Sequence, residues 1–409
     1  MKKWFRLLLL LLAALSACTP ERYSPFPDSG RFAGKREGME GLGYEKIMII
    51  YTEGYNNLTV DIEENLRQLD EGYIPGMNDR QALLVYAHNA RGRVDYSSEV
   101  EPVVYRIYSH YDKIIRDTIR RYPSDELSVK PERVKDVLSF IKQEFPSQSY
   151  GLVFNSHASG WIPKGYDSSS DDVNPWSISP QWIGSEFEGS YTNDHNLDVD
   201  EFAQAIPMHL DYIVFDCCLM GGVETNYSLR EKTNYIVAAP TEVISKGFDY
   251  YKMTEKLLKP HESVDLKGIC VDFFEKFANG SYATVALYDC SKMDELAKAC
   301  KKVFSNHPDN IVFNVNPRDV QDYNYSFSYH YDFRDILAKM GASTEELAEI
   351  DAILGELVIY KNATPYFINT AINPLTYSGM SMYLPISSRD VLNSLYKETP
   401  WNKATGLLK

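Results

Sequence analysis

The sequence predicts an α/β fold with a mostly parallel β-sheet that is covered by helices on both faces. Along residues 44–258, short apolar runs of strand length alternate with segments that have the apolar spacing of helices. The apolar runs contain few polar residues, which is typical of strands buried on both faces of a parallel sheet. We therefore predict one α/β domain over 44–258. The remainder, 259–409, is predicted to be a C-terminal accessory region of α+β character.

The predicted elements of the α/β domain follow from the apolar pattern in chain order. Strands are predicted at 46–51, 82–86, 151–154, 212–215 and 235–239, and helices at 61–69, 131–145 and 197–206. Pro131 is suited to the first turn of the second helix, and Pro146 ends it. Asp198, with Glu201 three residues later, fits a capping box at the beginning of the third helix. In the accessory region the pattern predicts helices at 294–303 and 344–359 and a strand at 381–384.

The first residues have the pattern of a secretory signal. Three basic residues precede an apolar stretch over 7–15, which is shorter than the roughly 20 residues of a membrane-spanning helix. The sequence Leu-Ser-Ala-Cys that ends at Cys18 resembles the bacterial lipobox, in which cleavage precedes a cysteine that becomes lipidated. We expect a signal peptide over 1–17, a lipidated Cys18 and a flexible tether to residue 43, on a lipoprotein of the bacterial cell envelope, with the outer membrane as the expected location. The alternative is a plain secretory signal with an incidental cysteine.

The charge of the chain argues against nucleic acid as a partner. Asp and Glu total 57 against 42 Lys and Arg, which gives a formal net charge of −15. An acidic surface repels phosphate backbones, and no long basic run interrupts it. We therefore expect no nucleic acid among the partners.

Thiol chemistry is the first function that the sequence indicates. Besides Cys18 there are five cysteines, and an odd number in an exported protein leaves at least one thiol without an intramolecular disulfide. Cys217 and Cys218 follow directly after the fourth predicted strand, and His157 follows the third. Parallel strands end at one edge of a sheet, so a histidine that could serve as a base would lie near a thiol. The same residue types are also common in structural roles, and this arrangement does not choose between the two cysteines.

Longer motifs around these residues resemble the clostripain family of cysteine peptidases. The matching residues are His157-x-Ser159-Gly160-Trp161, Asp216-x-Cys218-Leu219-Met220 with Glu224, Tyr51 with Asn56-Asn57-Leu58, and Glu242 with Gly247-Phe248-Asp249-Tyr250. The resemblance covers residues 44–250 and implies a caspase-like fold. It also implies a cysteine endopeptidase that acts on proteins or peptides through an acyl-enzyme.

The resemblance implies a role for each matching residue of the site. His157 would be the catalytic histidine, and Cys218, which precedes Leu-Met, would be the nucleophile. Backbone N–H groups of Cys218 and Ala158 would form the oxyanion hole. Asp216 would lie at the base of the S1 pocket with Glu242 as a second acidic wall, which would suit Arg or Lys at P1. The alternative for Asp216 is a hydrogen bond to nearby backbone.

Two departures from the family pattern leave other functions open. Ala158 stands where the family usually has Gly, and its Cβ could displace the loop after the histidine. Phe248 stands where Trp is more usual. One alternative is therefore a non-catalytic binding lipoprotein on an inactivated caspase-like scaffold. Another is a transpeptidase that passes the acyl group to an amine.

The loop between the two motifs, residues 162–196, is expected to be exposed. Lys164 is its only Lys or Arg, so a self-cleavage specific for basic residues would occur there. We expect no cofactor, with calcium as the alternative. Asp194, Asn196 and Asp198 resemble the beginning of a calcium loop, but the glycine and glutamate that an EF-hand needs further on are replaced by valine and alanine. Helix capping by Asp198 is the preferred interpretation.

Overall fold

A computed structural model describes residues 43–90, 100–164, 166, 183–189, 194–280, 282–307, 312–324 and 329–409. The predicted signal peptide, Cys18 and residues 18–42 of the tether lie outside these ranges. Within them, none of the helices has the length and apolarity needed to cross a membrane.

Fifteen strands and eleven α-helices make up the described part of the chain. The strands are β1 (Lys46–Gly54), β2 (Gln81–Asn89), β3 (Val103–His110), β4 (Lys113–Arg121), β5 (Tyr150–Asn155), β6 (Ile183–Phe187), β7 (Asp194–Leu197), β8 (Leu210–Asp216), β9 (Thr233–Ala238), β10 (Thr284–Asp289), β11 (Tyr331–Asp332), β12 (Val358–Ala363), β13 (Tyr366–Phe367), β14 (Thr370–Ala371) and β15 (Ser381–Met382). The helices are α1 (Thr59–Gln68), α2 (Pro131–Glu144), α3 (Val199–Ala205), α4 (Val223–Leu229), α5 (Tyr250–Leu257), α6 (Leu266–Phe277), α7 (Met293–Asn306), α8 (Phe333–Lys339), α9 (Thr344–Leu357), α10 (Asp390–Lys397) and α11 (Pro400–Thr405).

A nine-stranded sheet forms the centre of the protein, in the order β12-β10-β9-β8-β5-β1-β2-β3-β4. The five strands from β9 to β2 pair in parallel, and two antiparallel strands extend the sheet at each side. The inner strands β5 and β8 are almost entirely buried, whereas β4 at the edge carries five charged side chains and is largely accessible. Charged side chains on an exposed edge strand discourage pairing with another chain.

Helices cover both faces of the sheet because alternate strand side chains enter two separate apolar layers. Ile49, Leu152 and Phe154 face a layer that contains the apolar sides of α2, α3, α4 and α7. Met48 and Val153 face the opposite layer, which is filled by α1, α5 and α6. The predicted α/β fold with helices on both faces is confirmed.

The structure differs from the sequence prediction at the C-terminal boundary. Strands β10 and β12, which follow residue 258, extend the central sheet instead of forming a separate one. The boundary predicted at this residue therefore crosses a continuous sheet. The sequence prediction also omits β3, β4, β10 and β12; in β4, five charged residues interrupt the apolar alternation.

Strand β6 packs so closely on the end of β1 that Gly184 has no room for a side chain. The φ angle of Gly184 is +77°, and a Cβ there would lie 1.6 Å from Oε2 of Glu53. The Glu53 side chain is completely buried, so it cannot move aside into solvent.

Gly184→Ala should lower the free energy of unfolding by about 2–3 kcal/mol, since it adds overpacking to left-handed strain. Urea denaturation monitored by circular dichroism would measure the change. Gly189→Ala is the matched control, because Gly189 has a φ of +70° but no atom within 4 Å of its added Cβ. Equal losses in the two variants would contradict the proposed contact with Glu53.

Candidate active site

His157 and Cys218 each follow one of two neighbouring parallel strands and lie at the same edge of the sheet. Asn155 and Asp216 are paired at the ends of β5 and β8. His157 and Cys218 each follow two residues after this pair, so the chain leaves both strands at the same level. The structure thus brings the sequence-predicted histidine and cysteine to the same side of the molecule, as expected for the carboxyl ends of parallel strands.

The loop that carries His157 contacts the loop that carries Cys218. Gly160 has a φ of +70°, and a Cβ there would lie 2.6 Å from the carbonyl oxygen of Leu219 and 2.9 Å from Nε2 of His330. Leu219 itself has a φ of +62°, a conformation that costs a residue with a Cβ about 1–2 kcal/mol. Its N–H donates to the carbonyl oxygen of Thr241 at 2.8 Å, which helps to hold this turn.

The two adjacent thiols point in different directions. Cys217 is buried in the apolar layer, and its Sγ donates to the carbonyl oxygen of Phe154 at 3.3 Å. Cys218 is only partly buried; its Sγ accepts from the N–H of Val243 at 3.2 Å and donates to the carbonyl oxygen of the same residue at 3.5 Å. Cys218 is therefore the more accessible thiol of the pair.

Burial keeps the histidine and the thiol uncharged in this arrangement. It lowers the pKa of His157 to about 4, so the imidazole is neutral near pH 7. Burial also raises the pKa of Cys218 to about 12; the charges of Glu242 and Asp216 add to this, and the N–H of Val243 opposes it. The thiol would therefore lose its proton during attack on a carbonyl, or after the segment around Val243 has moved.

Asn57 is a partner of His157 for which the sequence pattern predicts no role. Its Oδ1 lies 2.6 Å from Nε2 of His157. Asn57 follows β1, which is the neighbour of β5 in the sheet. The signal was present in the Asn56-Asn57-Leu58 motif, because a polar residue after a strand adjacent to β5 would reach the same edge.

Ala158 occupies its position without strain. Its φ is not positive, so the backbone conformation is open to residues with a Cβ. The residue is buried in the apolar layer and forms an isolated bridge with Ile183, while the carbonyl oxygen of His157 accepts from the N–H of Gly184 at 2.9 Å. The alanine is therefore accommodated without a glycine conformation.

The carboxylate of Asp216 is enclosed by the segment that follows β9. Its Oδ2 accepts from Nδ2 of Asn155 at 3.1 Å, from the hydroxyl of Tyr250 at 3.1 Å and from the N–H of Phe248 at 3.4 Å. Burial raises its pKa to about 6, although the hydroxyl of Tyr250, the charge of Lys276 and the N–H of Phe248 lower it. Asp216 thus anchors residues 248–250 in this structure, and its role in an S1 pocket stays a prediction. Glu242 is half-buried and close enough to influence the thiol.

The C-terminal region, residues 259–409, forms hydrogen bonds that stabilise the turn after Cys218. The N–H of Ser381 donates to the carbonyl oxygen of Gly221 at 3.0 Å. Oε1 of Glu224 accepts from the N–H of Tyr383 at 2.9 Å and from the hydroxyl of Tyr396 at 3.0 Å. The accessory region is therefore part of the support of this site.

The capping interpretation of Asp198 is confirmed. Asp198 and Glu201 form a capping box at the beginning of α3, and Oδ1 of Asp198 accepts from the N–H of Lys164 at 2.6 Å. Nζ of Lys164 lies 2.6 Å from the Glu201 carboxylate. In the described part of the chain, no group of three or more His, Cys, Asp or Glu side chains is arranged to hold a metal ion. The side chain of Asp194 lies outside that part, and calcium stays an untested alternative.

Alkylation of Cys218 by iodoacetamide should be slow near neutral pH and should accelerate about tenfold per pH unit, since only the thiolate reacts and its pKa lies far above 7. Mass spectrometry of the labelled protein across a pH series would measure the rate. The other four cysteines of the described residues are buried, and the Cys218→Ala variant measures the labelling that does not come from Cys218. A fast rate that is independent of pH near 7 would indicate a preformed thiolate instead.

Solved structures share this architecture. An inactive zymogen of a C11 protease from Parabacteroides distasonis matches with a TM-score of 0.74 and 24% identity, over 89% of this chain and 99% of that chain. A secreted C11 cysteine protease from Bacteroides thetaiotaomicron, in complex with an irreversible peptide inhibitor, matches with a TM-score of 0.71 and 21% identity, over 88% and 99%. At these identities the likeness shows the fold.

The comparison of sequences identifies the family. No curated protein matches the chain. The model of the clostripain family matches residues 50–392, which is most of the chain and includes β10, β12 and β15. The chain therefore belongs to the clostripain family of cysteine proteases.

Proposed function

We propose that the protein is a lipid-anchored cysteine endopeptidase in which Cys218 is the nucleophile and His157 the general base. One observation supports this proposal above all. His157 and Cys218 lie in loops that follow the paired strands β5 and β8, and these two loops contact each other. Membership of a cysteine protease family agrees with it. The substrates would be proteins or peptides, and a peptide inhibitor bound to the protease from Bacteroides thetaiotaomicron supports that class.

The proposed reaction proceeds through an acyl-enzyme. Sγ of Cys218 forms a bond to the scissile carbonyl carbon while its proton passes to His157. The backbone N–H groups of Cys218 and Ala158 would stabilise the oxyanion. His157 then gives the proton to the leaving amine as the C–N bond breaks. Water attacks the thioester with His157 as base, which releases the acid and restores the thiol.

We propose a preference for Arg or Lys at P1, in which Glu242 contributes more directly than Asp216. The charge of Glu242 raises the pKa of Cys218 more than that of Asp216 does. Asp216 is already bound by three donors within the protein. A cationic P1 side chain beside Glu242 would offset the charge that opposes thiolate formation.

Cys218→Ala should reduce peptide hydrolysis by about 10⁴-fold or more, because the nucleophile is lost. Cys217→Ala should retain activity at a stability cost of about 1 kcal/mol, since it removes a small buried group. The assay would use a peptide library varied at P1 and the full-length chain in detergent with reductant, before and after limited proteolysis.

Each result of that assay has a distinct meaning. Cleavage after Arg or Lys that depends on Cys218 supports the whole proposal, and cleavage after other residues removes the P1 preference alone. Products in which an added amine replaces water would identify a transpeptidase. Activity that depends on Cys217 would overturn the assignment of the nucleophile. The absence of any Cys218-dependent turnover would favour the binding lipoprotein.

Membrane attachment through Cys18 is the second part of the proposal. Cells grown with an alkyne-bearing palmitate should label the wild-type protein, and Cys18→Ser should abolish the label, because the predicted acceptor sulfur is removed. Fractionation of inner and outer membranes would give the location. Cys300→Ser, a change at a cysteine of the body, is the control that should retain the label. Equal labelling of wild type and Cys18→Ser would contradict the anchor.

A further inference from the structure

We infer that Asn57 is a positioning residue that holds His157 in the tautomer protonated at Nε2, which makes Nδ1 the atom that accepts the proton of Cys218. This inference rests on the proposed function, in which His157 is the general base. It adds the identity of the basic nitrogen and the residue that selects it.

The hydrogen bond between the two side chains determines the tautomer. Nε2 of His157 and Oδ1 of Asn57 are 2.6 Å apart. An amide oxygen only accepts hydrogen bonds, so the nitrogen that faces it carries the hydrogen. Because burial keeps the imidazole neutral near pH 7, the ring has one N–H, and the other nitrogen keeps its lone pair. That nitrogen is Nδ1.

The turn that carries Asn57 is held rigidly. Nδ2 of Asn56 donates to the carbonyl oxygen of Glu53 at 2.8 Å and to that of Ser185 at 2.6 Å, and its Oδ1 accepts from the N–H of Leu58 at 2.8 Å. Asn56 is completely buried, whereas Asn57 beside it is exposed. Asn56 thus stabilises the turn, and the side chain of Asn57 contacts His157.

The same strand supports both members of the pair. The hydroxyl of Ser156 donates to the carbonyl oxygen of Glu53 at 2.8 Å and accepts from the N–H of Ser185 at 3.1 Å. Within β6, Gly184 also donates to the carbonyl oxygen of His157. Residues 156 and 157 and the Asn56–Asn57 turn are therefore all fastened to β6, which limits their relative motion. Because Asn57 and His157 are both held against β6, their hydrogen bond can keep the imidazole in one orientation during proton transfer.

The proton balance of the proposed reaction is complete with this assignment. Nδ1 takes the thiol proton as the S–C bond forms, and the ring becomes an imidazolium that still donates through Nε2 to Asn57. Nδ1 then gives the proton to the leaving amine. Asn57 exchanges no proton in either step.

The ¹⁵N NMR spectrum of histidine-labelled, full-length protein tests the tautomer without requiring turnover. Comparison with His157→Gln assigns the signals. We expect the pattern of an Nε2-protonated ring near pH 7, and its loss or mixture with the other tautomer in Asn57→Ala. A ring protonated at Nδ1 in the wild type would overturn the inference.

Kinetics provide the second test. Asn57→Ala should lower kcat about 100-fold with little change in KM, since it misplaces the base and leaves substrate contacts in place. Asn57→Asp keeps the acceptor and adds a negative charge that stabilises the imidazolium. It should restore most of kcat and move the acid limb of the pH profile to higher pH. A merely structural role would not move that limb.

The chain offers a matched control in an exposed pair of the same chemistry. Oδ1 of Asn234 lies 2.8 Å from Nε2 of His209, which precedes β8 at the amino ends of the strands. Asn234→Ala should leave kcat and the His157 signals unchanged. If Asn57→Ala behaves like this control while Cys218→Ala and His157→Ala are inactive, the inference fails and the proposed function stands. If those two variants remain active, the proposed function itself fails.

Discussion

The alignment of β1, β5 and β8 is the constraint on which the site depends. The three strands are parallel neighbours, and Thr52, Asn155 and Asp216 are matched across them. Hydrogen bonding between the strands fixes this register, and burial on both faces prevents slippage. The chain therefore leaves β5 and β8 at the same level and β1 two residues further on, which brings the Asn57 turn, the His157 loop and the Cys218 loop to one edge of the sheet. The proposed catalytic arrangement therefore depends on this strand pairing.

Desolvation determines the electrical state of the site. Around His157 and Cys218 it disfavours charge on both partners, so the structure contains a thiol and a neutral imidazole. The thiol is held by both backbone groups of Val243. A substrate that displaces this segment would remove those contacts, and a cationic group near Glu242 would lower the cost of forming a thiolate. Reactivity of the thiol would then depend on whether substrate is bound.

The C-terminal region has a structural function in this arrangement. It extends the sheet through β10 and β12 and supports the turn after Cys218 through Glu224 and Ser381. Glu224 is buried with a pKa raised to about 7 by burial, so its hydrogen bonds to Tyr383 and Tyr396 are made inside the protein, away from water. The left-handed conformation of Leu219 is maintained within this frame.

The sequence by itself determined the α/β class, the five parallel strands and the placement of His157 and the Cys217–Cys218 pair after two of those strands, because apolar runs and polar residues that follow them are local signals. It also indicated the capping role of Asp198. Tertiary structure decided that the C-terminal region completes the sheet, that Asp216 is enclosed by residues 248–250, and that Cys217 turns inward while Cys218 stays accessible. It likewise decided that Asn57 contacts His157, a residue 100 positions later. These features depend on which distant segments are packed against each other, and no local pattern of residue types specifies that choice.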